Sequence, residues 1–191
     1  MAYTPNAIVP LQPGHSRRQL AFTAFAAPTP PPAVDNRRGG SPGAAKPEVT
    51  DKYGHDPRDG KEASEFQPDG SYVPPGAGSI GSIGSLGELQ SALDAAQSDK
   101  QVVAIKFVRE GCLACASTAS AYKSTAEQFG AKGQFYEIDF DQNKPFCRAA
   151  AVKFVPSGHI YANGKLVAAL PLGKKAWDAF KERLDLTSSE V

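Results

Sequence analysis

Thirteen of the sixteen prolines fall between Pro5 and Pro75, and eleven of the eighteen glycines between Gly14 and Gly84. This asymmetry constrains the fold more than any other feature, because proline removes a backbone donor and glycine costs the most entropy to order. Residues 1–84 show no sustained helical or strand period and are punctuated by Thr-Pro, Pro-Pro, Gly-Gly, Asp-Gly and Ser-Gly breakers. Ordering such a stretch costs roughly 1 to 2 kcal/mol per residue with little apolar surface to offset it. We therefore expect an extended Pro/Gly-rich N-terminal arm over 1–84, with Gly78-Ser79-Ile80-Gly81-Ser82-Ile83-Gly84-Ser85 as a flexible tether. One ordinary domain is expected at 85–186 and a short tail at 187–191.

The balance of 21 basic against 20 acidic side chains leaves a net charge of +1, which supplies no footprint for a polyanion. Nucleic-acid binding is a poor hypothesis for such a chain. No run approaches the roughly 18 to 20 consecutive apolar residues of a membrane-spanning helix. Three cysteines cannot build a disulfide-stapled scaffold, and their placement directs attention to redox or metal chemistry.

Within the arm, the first 34 residues hold Arg17 and Arg18 but no Asp or Glu, and so resemble an organelle transit segment. Arg17-Arg18 followed by a short apolar run and Ala24-Phe25-Ala26-Ala27-Pro28 resembles a thylakoid-lumen or twin-arginine signal, and also the cleavage region of algal plastid leaders. Two readings stay open for residues 1–30: a targeting segment, and a plain Ala/Pro-rich arm.

After the arm, Ser85 with Glu88 forms a capping box, and Leu86, Leu89, Ala92, Leu93 and Ala96 recur at helical spacing. These predict a helix over about 86–98. Val102 to Val108 reads as a buried strand, Ala114 to Phe129 as a long helix stopped by Gly130, and Gln134 to Phe140 as a second, parallel strand. Asn143 is the expected cap of a short helix over Lys144 to Ala151, with Pro145 in its first turn. Val152 to Val155 and Pro156 come next. Asn163-Gly164 between His159–Ala162 and Lys165–Leu170 signals a hairpin, and a last helix covers about Lys174 to Leu184, with Trp177 in the core. The order α-β-α-β-α-β-β-α implies an α/β fold, a mixed central sheet with helices on both faces.

Cys112-Leu113-Ala114-Cys115 falls where the first of these strands ends and the long helix begins. In that context a Cys-x-x-Cys reads as a redox dithiol, because unsatisfied N–H groups at a helix start favour thiolate over thiol. Cys112 is the expected attacking thiolate and Cys115 the resolving thiol. A zinc site would need two further ligands, and Cys147, His55 and His159 form no second close pair; a pair of inert core cysteines is the remaining alternative. No metal is expected.

From about Ser85 to Leu186 the chain resembles thioredoxins in element order, in the position of the Cys-x-x-Cys, in Val155-Pro156 before a Gly-turned hairpin and in the last amphipathic helix. That resemblance implies a cis Pro156 facing the dithiol, with the backbone of Val155 pairing with a substrate strand. Phe140-Asp141-Gln142-Asn143-Lys144-Pro145-Phe146-Cys147 further resembles the Asn-Lys-Pro-x-Cys segment of the atypical cysteine/histidine-rich thioredoxins of chloroplasts. Cys147 is accordingly either a third, regulatory thiol or a helical cysteine packed as a small hydrophobe. The chain departs from the family at three points. Gly111 stands where a contact-forming tryptophan precedes the first cysteine, Leu113-Ala114 replaces Gly-Pro, and Lys106 takes the place of the buried aspartate that assists the second thiol. A cation at Lys106 lowers a nearby thiolate's pKa but cannot accept a proton while charged.

The resulting expectation is a plastid thiol–disulfide oxidoreductase acting on protein disulfides, without a metal or organic cofactor, in the stroma or the thylakoid lumen; the alternative address is cytoplasmic. The alternative function is a thioredoxin-fold accessory subunit of a thylakoid membrane complex, a photosystem or its antenna, anchored by the arm.

Overall fold

Every residue of Val102–Phe107 is buried in strand β2 (Val102–Val108), which explains its nearly unbroken apolar run. The computed structural model describes residues 52–191. Alternation along β2 sends Val103, Ile105 and Phe107 into one core and Val102 and Ala104 into another, so the sheet carries an apolar layer on each face. The first core is closed by helix α1 (Leu86–Ser98) through Leu89, Ala92 and Leu93 and by α4 (Lys144–Ala149) through Phe146 and Cys147. The second is closed by α3 (Ala119–Phe129) through Tyr122 and Ala126 and by α5 (Trp177–Ser188) through Phe180 and Leu184.

Strand β1 (Ile80–Ser82) and β3 (Gly133–Asp139) join β2, β4 (Ser157–Ala162) and β5 (Lys165–Pro171) in a five-stranded sheet of order β1-β3-β2-β4-β5. The β1–β3 and β3–β2 pairs are parallel, and β2–β4 and β4–β5 antiparallel. The mixed α/β architecture is the one expected. The hairpin turns at Asn163 and Gly164 with φ of 51° and 72°, the pair of positive angles that makes Asn-Gly favourable there.

Four local expectations are corrected. The tether does not persist through Ile80–Ser82, which pairs with Phe135–Glu137 as the sheet's edge; Ile83, just beyond, is 1% exposed in the first core. The two isoleucines thus find burial that periodicity alone does not announce. Upstream of them, residues 53–72 lie along the domain as well: the His55 amide donates to Ala150 O (3.0 Å), Arg58 donates to Gln90 Oε1 and Gly164 O (both 2.7 Å), and the Asp69 amide donates to Ser91 Oγ (2.8 Å). The ordered unit therefore begins well before Ser85. Residues 1–51, which hold the leader segment and most of the arm invoked for an accessory subunit, lie outside the described residues.

The long helix is interrupted. It starts as α2 (Leu113–Ala116) and resumes as α3, because Ser117 Oγ donates to Ala114 O (2.8 Å) and Thr118 Oγ1 to Cys115 O (3.1 Å), drawing the backbone out of helical register. Asn143 does not cap α4 with its side chain; its Nδ2 donates to Asp139 O at 3.1 Å instead. The capping box is rearranged: Ser85 Oγ accepts from the Glu88 amide (3.1 Å), while Glu88 Oε2 accepts from the amide of Gly84 (2.6 Å).

Candidate active site

Cys112 caps the N-terminus of α2, immediately after Gly111 turns the chain with φ of 71°. No atom comes within 4 Å of where a Gly111 Cβ would stand, so space does not require glycine here; the left-handed backbone does. A tryptophan at this position would have to adopt that strained conformation, which is a physical reason for the departure from the family pattern.

Cys112 and Cys115 are joined as a disulfide with Cα atoms 5.2 Å apart. Their surroundings differ. Cys112 is half-buried, whereas Cys115 is 5% exposed beneath it. The Cys115 amide points at Cys112 Sγ, 3.1 Å away, a donor that stabilises negative charge on that sulfur when the bond is open. Helix-start polarisation acts within the first turn, so this local donor, rather than the length of a helix, supplies the effect in the short α2.

Two clefts meet at the dithiol. One, of about 400 Å³, is lined by Arg109, Glu110, Gly111, Cys112, Phe140, Lys153, Phe154 and Val155. It brings Cys112 and Val155 onto one surface, and the Val155–Pro156 peptide is cis. Arg109 forms its wall by lying 4.9 Å over the Phe140 ring and bonding Asp141 at 2.9 Å. Phe154, 40% exposed, is held from the side by the ring of Tyr53, edge-on with centroids 5.8 Å apart. Leu113, 87% exposed, stands on the other side of Cys112 as an apolar contact.

The second cleft, of about 330 Å³, lies behind the dithiol and is lined by Cys112, Cys115, Lys106, Arg109, Glu137 and small neighbours such as Ala116 and Ala119. Lys106 is 1% exposed, and its Nζ donates to Glu137 Oε1 at 2.9 Å. The two residues are register partners on β2 and β3. The ammonium also sits 5.2 Å over the ring of Tyr122. Burial, with help from the Glu137 charge, raises the Tyr122 phenol well above its ordinary range, so it remains a neutral donor placed between Ala104 O (3.0 Å) and Tyr136 O (2.9 Å).

Cys147 lies apart from these clefts. It is fully buried against the first core, and burial, followed by the nearby Asp139 and Asp141 charges, pushes its thiol up to about 11. His159 is also fully buried, edge-on to Phe107 with centroids 4.7 Å apart. Trp177 meets Tyr122 and Phe180 at the rim of the second core. Among the described residues no group of three His, Cys, Asp or Glu side chains is placed to hold a metal ion, and no helix is long and apolar enough to cross a membrane. A roomier pocket of about 550 Å³, between His55–Asp59 and Lys165–Leu166, shares no residue with the dithiol.

Sequence reasoning missed Phe154, Leu113, Arg109 and Glu137. Glu137 left a signal: the lysine inside the apolar run of β2 is a charge that burial obliges to pair, and the carboxylate flanked by Tyr136 and Ile138 in β3 is an available partner.

A family profile described as Thioredoxin matches residues 88–185. Among solved structures, the chain is similar to the short form of thioredoxin f from spinach chloroplast, at 17% identity and a TM-score of 0.50 over 60% of this chain and 98% of that one. A mutant thioredoxin from Halobacterium salinarum matches at 23% identity and a TM-score of 0.51, covering 61% and 96% of the two chains. The thioredoxin of Malassezia sympodialis matches at 20% and 0.50, covering 61% and 95%. These structures share the fold. No curated protein matches the chain.

Proposed function

Because the chain belongs to the thioredoxin family, we propose that it is a thiol–disulfide oxidoreductase that reduces disulfides of partner proteins through Cys112 and Cys115. One observation carries this reading: a half-buried Cys112 bonded to a buried Cys115 at a strand-to-helix junction, sharing a cleft with Val155. In the reduced protein, the Cys112 thiolate attacks one sulfur of the substrate disulfide, forming a mixed disulfide and expelling the first substrate thiolate. Cys115 then attacks Cys112 Sγ, closing the internal disulfide and expelling the second thiolate. Two electrons pass to the substrate, and each departing thiolate takes a proton.

The cleft supplies recognition of an extended segment. The backbone at Val155, in the cleft with Cys112, is the place for strand-like pairing, and the exposed Leu113 and Phe154 offer apolar contact near it. Gly111 contributes an open turn rather than a platform. We further propose a plastid address, supported by the acid-free, arginine-bearing first 34 residues and by the Asn143-to-Cys147 segment that resembles plastid thioredoxins.

The test uses the full chain with dithiothreitol and insulin as the disulfide. Cys112→Ser is expected to abolish reduction, and Cys115→Ser to accumulate a mixed disulfide visible on a non-reducing gel. Reduction by both variants at the parent's rate would sink the proposal.

A further inference from the structure

Two aromatic rings line the cleft of about 400 Å³ that holds Cys112 and Val155. Phe140 is covered by the Arg109 guanidinium, which leaves Phe154, 40% exposed, as the ring open to a substrate. A side chain at that exposure keeps its rotamer freedom unless a neighbour braces it, and ordering it on binding costs affinity. The brace comes from upstream. Tyr53 sets its ring edge-on to Phe154, centroids 5.8 Å apart and planes at 85°, the geometry in which the positive rim of one ring meets the negative face of the other. The Phe154 carbonyl is fixed separately, by a hydrogen bond of 2.7 Å from Ser157 Oγ.

Tyr53 is held in place in its turn. Gly54 follows it and is buried so closely that a Cβ there would overlap His159 Nε2 and stand 2.8 Å from Ala150 O. The His55 amide donates to Ala150 O at 3.0 Å, Pro57 is buried, and Arg58 ties the segment to Gln90 and Gly164. The brace is therefore anchored independently of the ring contact it makes. It also lies outside residues 88–185, the part of the chain that the family profile matches.

We propose that Tyr53 is a specificity-determining positioning residue: it holds the Phe154 ring as a fixed apolar wall, against which a large apolar side chain beside the target cysteine of an extended substrate segment packs. This rests on the oxidoreductase reading above. Phe154 makes the contact and Tyr53 acts through it. Because Gly111 presents no side chain to the same cleft, the aromatic contact reaches the substrate from the Val155 side of Cys112 rather than from the residue before the cysteine.

The test uses two cyclic disulfide peptides that are identical except for Leu or Ser beside one cysteine, and hydroxyethyl disulfide, which carries no side chain to pack. Pre-reduced full-length protein is mixed with each, quenched with acid, alkylated in denaturant and weighed, and each peptide's rate is divided by its own rate with dithiothreitol. The parent is expected to prefer the Leu peptide about tenfold, the low end of what one apolar contact in a pocket contributes. Phe154→Ala and Tyr53→Ala should each bring that preference below about threefold, and Tyr53→Phe, which keeps the ring edge, should retain it. Oxidation by hydroxyethyl disulfide should stay within about twofold in all of them, which general damage to the fold would not allow. Tyr53→Ala keeps the His55 and Arg58 anchors, so the segment stays docked. Tyr53→Ala/Phe154→Ala should match Phe154→Ala alone, since the two residues act as one unit. A parent with equal rates on the two peptides, or a Tyr53→Ala variant with the parent's preference, overturns the assignment. A parent that none of the three disulfides oxidises would instead overturn the oxidoreductase reading itself, so the two failures are distinct.

Discussion

The imidazole of His159 is 0% exposed on β4, packed against Phe107 and so close to the Gly54 backbone that a Cβ at Gly54 would overlap it. Burial pushes its pKa down to about 4, with the His55 charge acting in the same direction and Asp56 opposing. Its unfolded value is about 6.5. Between those two values the unfolded chain binds the proton and the native one does not, so the sign is set: His159 contributes full stability above about pH 6.5 and loses it progressively as pH falls toward 4. The gap of about two and a half units corresponds to roughly 3 kcal/mol across the whole window, of which about 2 kcal/mol is already lost at pH 5. A loss of that size is a large fraction of a domain's stability. The assay is urea unfolding of the oxidised protein, followed by fluorescence at pH 7 and pH 5, for the parent and for His159→Phe, which keeps an aromatic ring but removes the titration. Carboxylates lower the stability of both proteins equally over this interval, so the difference between them isolates the imidazole. The parent should lose about 2 kcal/mol more than His159→Phe. Equal losses, within about 0.5 kcal/mol, would refute the reasoning.

The raised, buried Cys147 thiol implies that it stays unreactive in the native, reduced protein: iodoacetamide at pH 7.5 should modify Cys147 only after denaturant is added, as counted by mass spectrometry. Arg58→Ala removes hydrogen bonds to Gln90 Oε1, Gly164 O and Asp56, and should cost about 1 to 3 kcal/mol and open residues 53–66 to limited proteolysis while the rest of the domain stays protected. Ser85→Ala removes the acceptor of the Glu88 amide and should cost about 1 kcal/mol in urea unfolding, with no change in the rate of disulfide exchange.

These perturbations differ in how visible their targets are from sequence. Cys112 and Cys115 announce themselves, because a redox dithiol needs only three residues of spacing and a strand-to-helix junction, both local properties. Ser85 and the Asn163-Gly164 turn are legible for the same reason: a cap and a two-residue turn act on the backbone beside them. The break at Ser117 and Thr118 is local too, but hydroxyls in a helix choose between solvent and their own carbonyls, and that choice follows the packing. Glu137 belongs to a different class. Its partner Lys106 is thirty-one residues away, and only the parallel register of β2 and β3 brings the ammonium and carboxylate to 2.9 Å.

The residues upstream of Ser85 make the contrast sharpest. From the amino-acid sequence alone came the mixed α/β sheet, the Cys112–Cys115 pair at a strand-to-helix junction, and the hairpin beyond Pro156, since each rests on periodicity or on short spacing. The tertiary structure alone decided that residues 53–83 belong to the domain, by burying Ile83, pairing Ile80–Ser82 with β3, and giving the Arg58 guanidinium acceptors thirty-two and one hundred and six residues away. A segment without internal period has no local reason to order. Its ordering free energy comes from surfaces that exist only once the rest of the chain has folded.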